Sequence, residues 1–317
     1  MDGSSALPTL LVIAGPTGSG KSELALEVAE AIGGEIVSAD AFAVYRGLDI
    51  GTDKPSTEAR RRVRHHLVDI ADPRQRFSAG HFVAAAAAAI DDIRARGSVP
   101  VVAGGTHFYI RALLLGLFES PPGDASLRAR LAAEWDADPA RTVDRLRDID
   151  PAAAARIATG DRQRVLRALE VWELTGVPIS EHWRRHQSHA RYRALLTAPH
   201  RERRDLYARI DLRVDDMFFR GLEEEVTQIL ASGVPAGAHA LKAIGYAQVV
   251  RMLAGQGDQL TAIEHTKQAS RRLAKRQLTW LRSLREGGLE WVPPADQGGT
   301  AAIIAKWMGS TGEGSEP

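Results

Sequence analysis

Apolar residues along this chain fall into two patterns, short compact runs and longer stretches with helical spacing. Runs at 10–14, 35–40 and 99–102 have the length of buried strands. Residues 23–32 and 78–96 instead repeat apolar side chains every three or four positions, which is typical of amphipathic helices packed on a core. Strands that alternate with helices predict an α/β fold, a parallel sheet flanked by helices.

The first predicted strand runs directly into a glycine-rich loop that opens a helix. The loop has the sequence Gly15-Pro16-Thr17-Gly18-Ser19-Gly20-Lys21-Ser22. It fits the P-loop pattern G-x-x-x-x-G-K-[ST], in which backbone N–H groups and the helix N-terminus surround a phosphate. We expect Lys21 to face the phosphate and the Ser22 hydroxyl to ligate Mg²⁺. The fold is therefore predicted to be P-loop NTPase-like, with the phosphate compound left open.

A carboxylate and a hydroxyl follow two further predicted strands. Asp40 ends the second strand, and Thr106 follows the glycine pair after the strand at 99–102. Because the carboxyl ends of parallel strands converge on one crevice, we expect both side chains near the P-loop. Asp40 is then a candidate general base or Mg²⁺ ligand, or alternatively a helix or turn cap. Thr106 is a candidate site residue or an ordinary turn residue.

The character of the chain changes after Gly116. From there to about Pro199 the sequence is rich in Ala and Arg, with helical segments and no clear strand pattern. We therefore predict an inserted helical domain over 117–199 within a discontinuous α/β core. The predicted core covers 9–116 and 200–308, and 309–317 is predicted to be a disordered tail.

Charge is balanced overall but unevenly distributed. The formal net charge is +1, from 41 Lys and Arg against 40 Asp and Glu. Residues 184–213 nevertheless contain nine arginines and three acids, and residues 267–285 contain seven basic residues and no acid. Such runs are usually solvated faces, but two of them in a nearly neutral chain also suit a phosphate backbone.

Several classes of site and location are disfavoured by the composition. The chain has no cysteine, which excludes disulfides, Cys-ligated zinc and thiol redox chemistry. The apolar run at 10–14 is too short for a signal peptide or a membrane span, so we expect a cytoplasmic protein that does not bind membranes. His65 and His66 are adjacent, and on a strand they point to opposite faces, so one metal ion is not expected to bind both.

Further short motifs follow the P-loop in a fixed order. They are Ser38-Ala39-Asp40, the segment 45–55, His65-His66-Leu67-Val68-Asp69, the segments 101–109 and 161–171, Lys242-Ala243-Ile244-Gly245-Tyr246 and the segment 274–280. In this order, over roughly residues 9–285, they resemble the bacterial tRNA dimethylallyltransferases, or isopentenyl-tRNA transferases. The chain departs from that family in two places. It has Ala41 and Ala43 where the family usually has Ser and Gln, and His107 where the family usually has Gly.

The resemblance implies a reaction and the residues that carry it. It implies transfer of a dimethylallyl group from dimethylallyl diphosphate to N6 of adenosine 37, in the anticodon stem-loop of tRNA, by a monomer that uses Mg²⁺. Lys21 and Arg213 would stabilise the diphosphate, Asp40 would accept the N6 proton and Thr106 would orient the reactants. The expected tRNA contacts are Asp40, Ala41, Phe42, Ala43, Thr106, Arg128, Gln163, Arg164, Val165, Leu166, Arg167, Lys242, Gly245 and Tyr246.

Three other functions stay open on the residues alone. A small-molecule kinase would bind ATP at the P-loop and use Asp40 as a base toward a hydroxyl. A prenyltransferase of free adenine nucleotides would not need the arginine-bearing helix at 161–171. An RNA-binding, GTPase-like switch is disfavoured, because the strand at 99–102 ends in Ala103-Gly104-Gly105 and not in an Asp-based Mg²⁺ motif.

Overall fold

A parallel β-sheet of six strands forms the centre of the larger of two units. That unit comprises the described residues up to Leu114 and from Ala190 onward, and the smaller unit comprises those in 115–189. The computed structural model describes residues 7–118, 121, 123–186, 190–284 and 288–312.

The sheet explains why the motifs meet at one edge. Its strands are β1 (Thr9–Ala14), β2 (Gly34–Ser38), β3 (His65–His66), β4 (Val99–Gly104), β5 (Arg193–Pro199) and β6 (Glu290–Val292). Their order is β3-β2-β4-β1-β5-β6, and every neighbouring pair is parallel. Residues 10–14 of β1 have no exposed surface, as expected for a strand covered on both faces. The loops after β1, β2 and β4 therefore share one edge, and the predicted α/β class is confirmed.

Helices surround the sheet and build the smaller unit. In chain order they are α1 (Lys21–Ala31), α2 (Thr57–Arg62), α3 (Ala79–Ala95), α4 (His107–Leu115), α5 (Ala125–Ala137), α6 (Pro139–Ile149), α7 (Pro151–Arg156), α8 (Arg162–Thr175), α9 (Ile179–Arg185), α10 (Arg203–Phe219), α11 (Leu222–Ala231), α12 (Tyr246–Leu253), α13 (Gln259–Ser283) and α14 (Gly299–Gly312). Short 3-10 turns occur at Ala240–Lys242 and Ala295–Gln297. Among the described helices, none is both long enough and apolar enough to cross a membrane.

Helix α3 shows how the sequence pattern becomes an element. Ser78 precedes it, and its hydroxyl accepts the His81 N–H at 3.2 Å, which satisfies a donor of the first turn. Phe82, Ile90 and Ile93 then bury one stripe of the helix completely. The helix predicted over 78–96 is confirmed, and its apolar stripe is core.

The smaller unit has its own apolar core. Leu131, Leu146, Leu169 and Val171 lie within it, drawn from α5, α6 and α8. An aspartate accepts a backbone N–H at the start of each of four of its helices, a strong helix-start signal. These aspartates are Asp124, Asp138, Asp150 and Asp161.

Two predicted boundaries differ from the structure. The sequence pattern assigns 190–199 to the helical insert, but β5 lies there and pairs with β1 from Thr9–Arg193 to Ile13–Thr197. The arginines before β5 obscure its short buried stretch. The sequence also predicts disorder from 309, whereas α14 continues to Gly312. Helix α14 is anchored on the sheet unit, because Ile303 is fully buried in the core that contains β1. The rest of the predicted tail, 313–317, lies outside the described residues.

Candidate active site

The P-loop connects β1 to α1 and depends on two glycines. Gly18 and Gly20 have φ angles of +79° and +86°, which side-chain-bearing residues rarely adopt. A Cβ atom on Gly18 would also lie 2.9 Å from a carbon of Ile210. Gly20 immediately precedes α1, whose N-terminus provides unpaired N–H groups and a positive dipole. The predicted strand, loop and helix are therefore confirmed, and the geometry suits an anion.

Three side chains from later parts of the chain form hydrogen bonds with the P-loop backbone. Arg209 Nε donates to the Gly18 carbonyl and Arg201 Nε donates to the Ser19 carbonyl, each at 3.1 Å. The Thr17 N–H donates to Gln277 Oε1 at 3.0 Å. The sequence prediction did not include these three residues as site residues. The two arginines belong to the basic run 184–213 and Gln277 to the motif at 274–280, but neither pattern reveals a contact with the P-loop.

Arg213 lies against the P-loop as the resemblance implies. Its Nη1 donates to Thr17 Oγ1 at 2.8 Å. Its Nε lies 3.3 Å from Asp53 Oδ2 in an ion pair, yet the geometry does not allow a hydrogen bond. Within the described ranges, this buried Nε has no hydrogen-bond partner. Because buried donors are normally satisfied, the arrangement favours an acceptor at this position, such as a phosphate oxygen.

Lys21 begins α1 beside the same guanidinium. Burial lowers the pKa of its ammonium group, and the Arg213 charge lowers it further. The carboxylates of Asp40 and Asp53 act in the opposite direction. Two cations close together in a partly desolvated position are stabilised by a multiply charged anion, so the predicted diphosphate role of both residues is chemically consistent.

Asp40 and Thr106 organise the backbone between them. Asp40 Oδ1 accepts the N–H groups of Phe42 and Ala43, at 2.8 and 3.0 Å. Thr106 Oγ1 accepts the Ala41 N–H at 3.0 Å. Asp40 therefore does cap a turn, which was the alternative interpretation of this residue. The cap uses one oxygen, and Oδ2 has no hydrogen-bond partner in the described part of the chain.

One cavity of about 390 Å³ is shared by the P-loop, Asp40 and Arg213. It is lined by polar residues that include Lys21, Asp40 and Arg213, and by apolar residues that include Ile210, Val214 and Met217. The combination of a cationic end, a carboxylate and apolar walls fits a small molecule that has both a phosphate and a hydrocarbon part.

The same cavity offers oxygen ligands for a divalent cation. Ser22, Asp40 and Asp53 all line it. The described residues contain no group of three or more His, Cys, Asp or Glu that could hold a metal by themselves. Mg²⁺ commonly takes one or two protein oxygens and completes its shell with substrate phosphates and water. The residues present therefore fit an ion that binds together with a diphosphate.

The two adjacent histidines have separate partners. His65 Nδ1 lies 2.8 Å from the Val63 carbonyl, and His66 Nε2 lies 2.7 Å from Glu35 Oε2. Each ring thus has its own hydrogen bond at the edge strand β3.

Of the expected tRNA contacts in the sheet unit, four are not among the residues that line the cavity: Ala41, Thr106, Gly245 and Tyr246. Phe42, Ala43 and Lys242 line it. Tyr246 is fully buried, and its hydroxyl donates to Glu225 and accepts from a backbone N–H in the segment 45–55. The prediction of a direct Tyr246 contact is corrected, because this side chain supports a loop from the core. Gly245 is also buried, with a φ of +94° that starts α12.

The expected contacts in the smaller unit divide by exposure. Arg128 and Arg167 both pair with Glu170, which is 2% exposed, so they neutralise a buried charge. Gln163 and Arg164 are exposed on α8, and the Arg164 side chain keeps 71% of its surface. The prediction for Val165 is corrected, because this residue is buried in the helical core. Its neighbour Leu166 packs against the same core. RNA binding by Gln163, Arg164, Arg128 and Arg167 stays a prediction.

His107 accounts for one departure from the family pattern. Its ring stacks on Trp280, with centroids 4.1 Å apart and planes 11° from parallel. Burial, with a smaller contribution from the Lys21 charge, lowers the pKa of His107 to about 4. The imidazole is therefore neutral near pH 7 and joins α4 to α13 as an aromatic contact.

Comparison with known proteins identifies close relatives. The chain is 46% identical over 287 residues to tRNA dimethylallyltransferase 1 of Trichlorobacter lovleyi, covering 90% of this chain and 93% of the relative. It is 45% identical over 303 residues to the tRNA dimethylallyltransferase of Geobacter sulfurreducens, covering 95% and 97%.

Solved structures agree with the sequence relatives. The full-length tRNA isopentenylpyrophosphate transferase of Bacillus halodurans superposes with a TM-score of 0.71 at 34% identity, covering 96% of this chain and 97% of that one. A eukaryotic dimethylallyltransferase acting on tRNA gives 0.82 at 26% identity, covering 98% and 80%. The family model described as IPP transferase matches residues 43–284. The chain therefore belongs to the IPP transferase family.

Proposed function

We propose that this protein transfers a dimethylallyl group from dimethylallyl diphosphate to N6 of adenosine 37 in tRNA. It would act as a monomer in the cytoplasm, where the tRNA is found. The observation that carries the proposal is the single cavity in which Lys21 and Arg213, the two cations of the P-loop end, are combined with Asp40. The names of the relatives, which describe enzymes that act on tRNA, support the same reaction.

The reaction forms one bond and breaks one. The N6 nitrogen of adenine attacks C1 of the dimethylallyl group, and the bond from C1 to the diphosphate oxygen breaks. Negative charge then develops on the leaving diphosphate, where Lys21, Arg213 and the N–H groups of the P-loop would stabilise it. The apolar wall of Ile210, Val214 and Met217 would hold the five-carbon chain.

The acceptor end requires a base because the exocyclic amine of adenine is a weak nucleophile. Its lone pair is delocalised into the ring, and loss of the N6 proton makes it available. Asp40 Oδ2 would accept that proton, while Oδ1 stays bonded to the backbone of Phe42 and Ala43. Thr106, which holds the Ala41 N–H, would keep this segment in place.

Mg²⁺ would be held by Ser22 and the diphosphate, with Asp53 or Asp40 nearby, and would supply charge neutralisation at the leaving group. The exposed residues of α8, Gln163 and Arg164, together with Arg128 and Arg167, would contact the anticodon stem-loop. The adenine must leave its base stack to reach the cavity, where Lys242 and Phe42 lie.

The experiment supplies every candidate donor and acceptor side by side. Labelled dimethylallyl diphosphate or γ-labelled ATP is incubated with unmodified tRNA, with AMP or with no acceptor. We expect the prenyl label in tRNA, at adenosine 37, and none in AMP. Label in AMP would show a prenyltransferase of free nucleotides, and phosphate transfer from ATP to a small molecule would show a kinase. ATP or GTP hydrolysis without any transfer would show a switch. Sedimentation of the same protein tests the monomer.

A further inference from the structure

We propose that Gln277 is a positioning residue that fixes the spacing between the diphosphate end and the acceptor end of the cavity. It lies on α13, far in sequence from both ends, and it binds the loops after β1 and β4 simultaneously. The inference rests on the proposed transfer reaction, because spacing matters only if two reactants meet in this cavity.

Both halves of the Gln277 amide are used. Its Oε1 accepts the Thr17 N–H at 3.0 Å, and its Nε2 donates to the Gly105 carbonyl at 2.8 Å. An N–H needs an acceptor and a carbonyl needs a donor, so only one orientation of the amide satisfies both neighbours. The residue is 8% exposed, and its hydrogen bond to Gly105 is buried, so water cannot readily replace that bond.

Each of the two bonds leads to a different reacting group. On one side, the Thr17 hydroxyl accepts from Arg213, the cation assigned to the diphosphate. On the other side, Gly105 precedes Thr106, whose backbone N–H donates to Ala39 and whose hydroxyl accepts from Ala41. Those two alanines flank the proposed base, Asp40. The amide is thus a bridge between the residues that hold the leaving group and those that hold the acceptor.

Packing between α13 and α10 fixes the position of Gln277. Neighbours of Gln277 on α13, Ala274 and Leu278, pack with Leu206 and Ile210 of α10, the helix that carries Arg213. An ion pair between the same helices joins Arg271 to Asp211 at 2.5 Å.

The contact with the loop after β4 is also close. A Cβ atom on Gly105 would lie 2.6 Å from Gln277 Nε2, so the glycine is needed for this approach. Small displacements of reacting atoms can reduce a rate about a hundredfold, since bond formation requires near-attack geometry. A rigid bridge therefore affects the rate more than the binding of either substrate.

Two substitutions of Gln277 test its hydrogen bonds, one removing both and the other removing only the bond to Gly105. Gln277→Met has similar length, no charge and neither hydrogen bond. Gln277→Glu keeps the acceptor for Thr17 but, as a carboxylate, loses the donor to Gly105. With both substrates saturating, we expect the single-turnover rate to fall roughly 10–100-fold in each. The affinity for tRNA should stay within about twofold of the wild type.

A pH series adds a readout that a purely structural role would not change. Once protonated, the carboxyl group introduced by Q277E can donate to Gly105 and accept from Thr17 together. The rate ratio of Q277E to wild type should therefore rise as pH falls. Lys21, Asp40, His107 and Arg276 are present in all the proteins compared, so a Q277M series at the same pH values isolates the effect of the new carboxyl group. No such rise is expected for Q277M.

The control is Leu281→Ala, one turn further along α13. Leu281 is fully buried and aliphatic, so its truncation should lower the melting temperature without removing a hydrogen bond to either loop. We expect its rate to stay within about twofold of wild type at a temperature where it is folded. Normal rates in both Gln277 variants, or a rate loss in L281A equal to theirs, would overturn the inference.

Two further outcomes have a defined meaning. Diphosphate affinity is measured for Q277E, and a loss as large as the rate loss would overturn the inference, since it would show that the new carboxylate captures Lys21. If the wild type itself transfers no label to tRNA, the proposed function fails. If the wild type is active and Q277M is equally active, only the role of Gln277 fails.

Discussion

At the scale of single residues, the two carboxylate oxygens of Asp40 have different surroundings. One oxygen accepts two backbone N–H groups and fixes the turn after β2. The other oxygen has no hydrogen-bond partner among the described residues, and the side chain lines the cavity. A carboxylate that only caps a turn does not need to line a cavity. The position of Asp40 in the cavity wall therefore favours the general-base role.

Asp40→Asn tests this division because the amide oxygen can preserve both cap bonds. We expect the single-turnover rate to fall by roughly 10²–10⁴, since the base is lost, with tRNA affinity changed less than tenfold. The measurement is a Mg²⁺ series with a thermal melt of the same variant. Recovery of the rate at high Mg²⁺ would identify Asp40 as mainly a metal ligand. A near-normal rate would eliminate the general-base role.

His107 predicts how stability depends on pH. Its pKa is about 4 in the folded chain, against about 6.5 in the unfolded chain. The unfolded chain therefore binds the proton more readily, and stability is lost as pH falls from about 6.5 towards 4. The loss at pH 5.5 should be of order 1 kcal/mol.

The variant His107→Phe keeps a ring against Trp280 and cannot titrate. In thermal melts at pH 7.5, 6.5 and 5.5, the stability of the variant relative to that of the wild type should increase as pH falls. His200→Gln, which removes an exposed histidine, is the control. A constant difference between H107F and wild type across the series would contradict this prediction.

At the scale of elements, α8 carries two arginines whose surroundings differ. Arg164 points into solvent next to Asp161, whereas Arg167 pairs with the buried Glu170. Three residues apart, they lie on neighbouring positions of one helix face, and sequence spacing treats them as equivalent RNA contacts. Burial distinguishes them, because an arginine that neutralises a buried acid is also needed for the fold.

The two alanine variants should differ accordingly. Arg164→Ala is expected to lower the slope of log affinity against log salt for tRNA by about one, with an unchanged melt. Arg167→Ala should in addition destabilise the helical unit by about 1–3 kcal/mol, since Glu170 loses one of its partners. Salt-dependent binding and thermal melts measure both effects. Identical salt slopes for wild type and R164A would show that Arg164 does not contact a phosphate.

The elements that sequence predicts well are those with a local signal. The P-loop, β1, β2, β4 and α3 each carry their own periodicity or motif. The strand-end argument brings Asp40 to the cavity, whereas Thr106 is not among the residues that line it. Strand β5 carries a weak signal, because only its second half is buried and arginines precede it. Gln277 could not be assigned from sequence, since its role depends on contacts with residues far away in the chain. Tyr246 belongs to a recognisable motif, but its burial appears only in three dimensions.

At the scale of the whole molecule, the helical unit enters and leaves the sheet unit at neighbouring points. The Arg191 N–H donates to the Leu114 carbonyl at 2.9 Å, so the two ends of the insertion are hydrogen-bonded to each other within the sheet unit. When the two flanking residues of an insertion lie close together, a short linker can replace the inserted segment without moving the rest of the fold.

Replacing residues 116–189 by a short Gly-Ser linker should therefore leave a folded sheet unit. We expect a cooperative melt. Diphosphate with Mg²⁺ should still raise the melting temperature, because the P-loop, Lys21 and Arg213 are all retained. Affinity for tRNA should fall by more than about tenfold, as the predicted contacts on α8 are gone. Calorimetry and tRNA titration measure this, and undiminished tRNA binding would remove the proposed role of the helical unit.

The pairing of β1 with β5 also governs how the chain is made. On a ribosome, β1 emerges early and can join β4, but its other edge stays open until β5 follows, after roughly 185 residues of synthesis. At about 5–20 residues per second, that interval lasts roughly 10–40 s. During this time an apolar strand edge is available to other nascent chains, while the residues of the helical unit are being made. The time needed to translate from β1 to β5, which includes 115–189, thus sets how long this strand edge stays open to other chains.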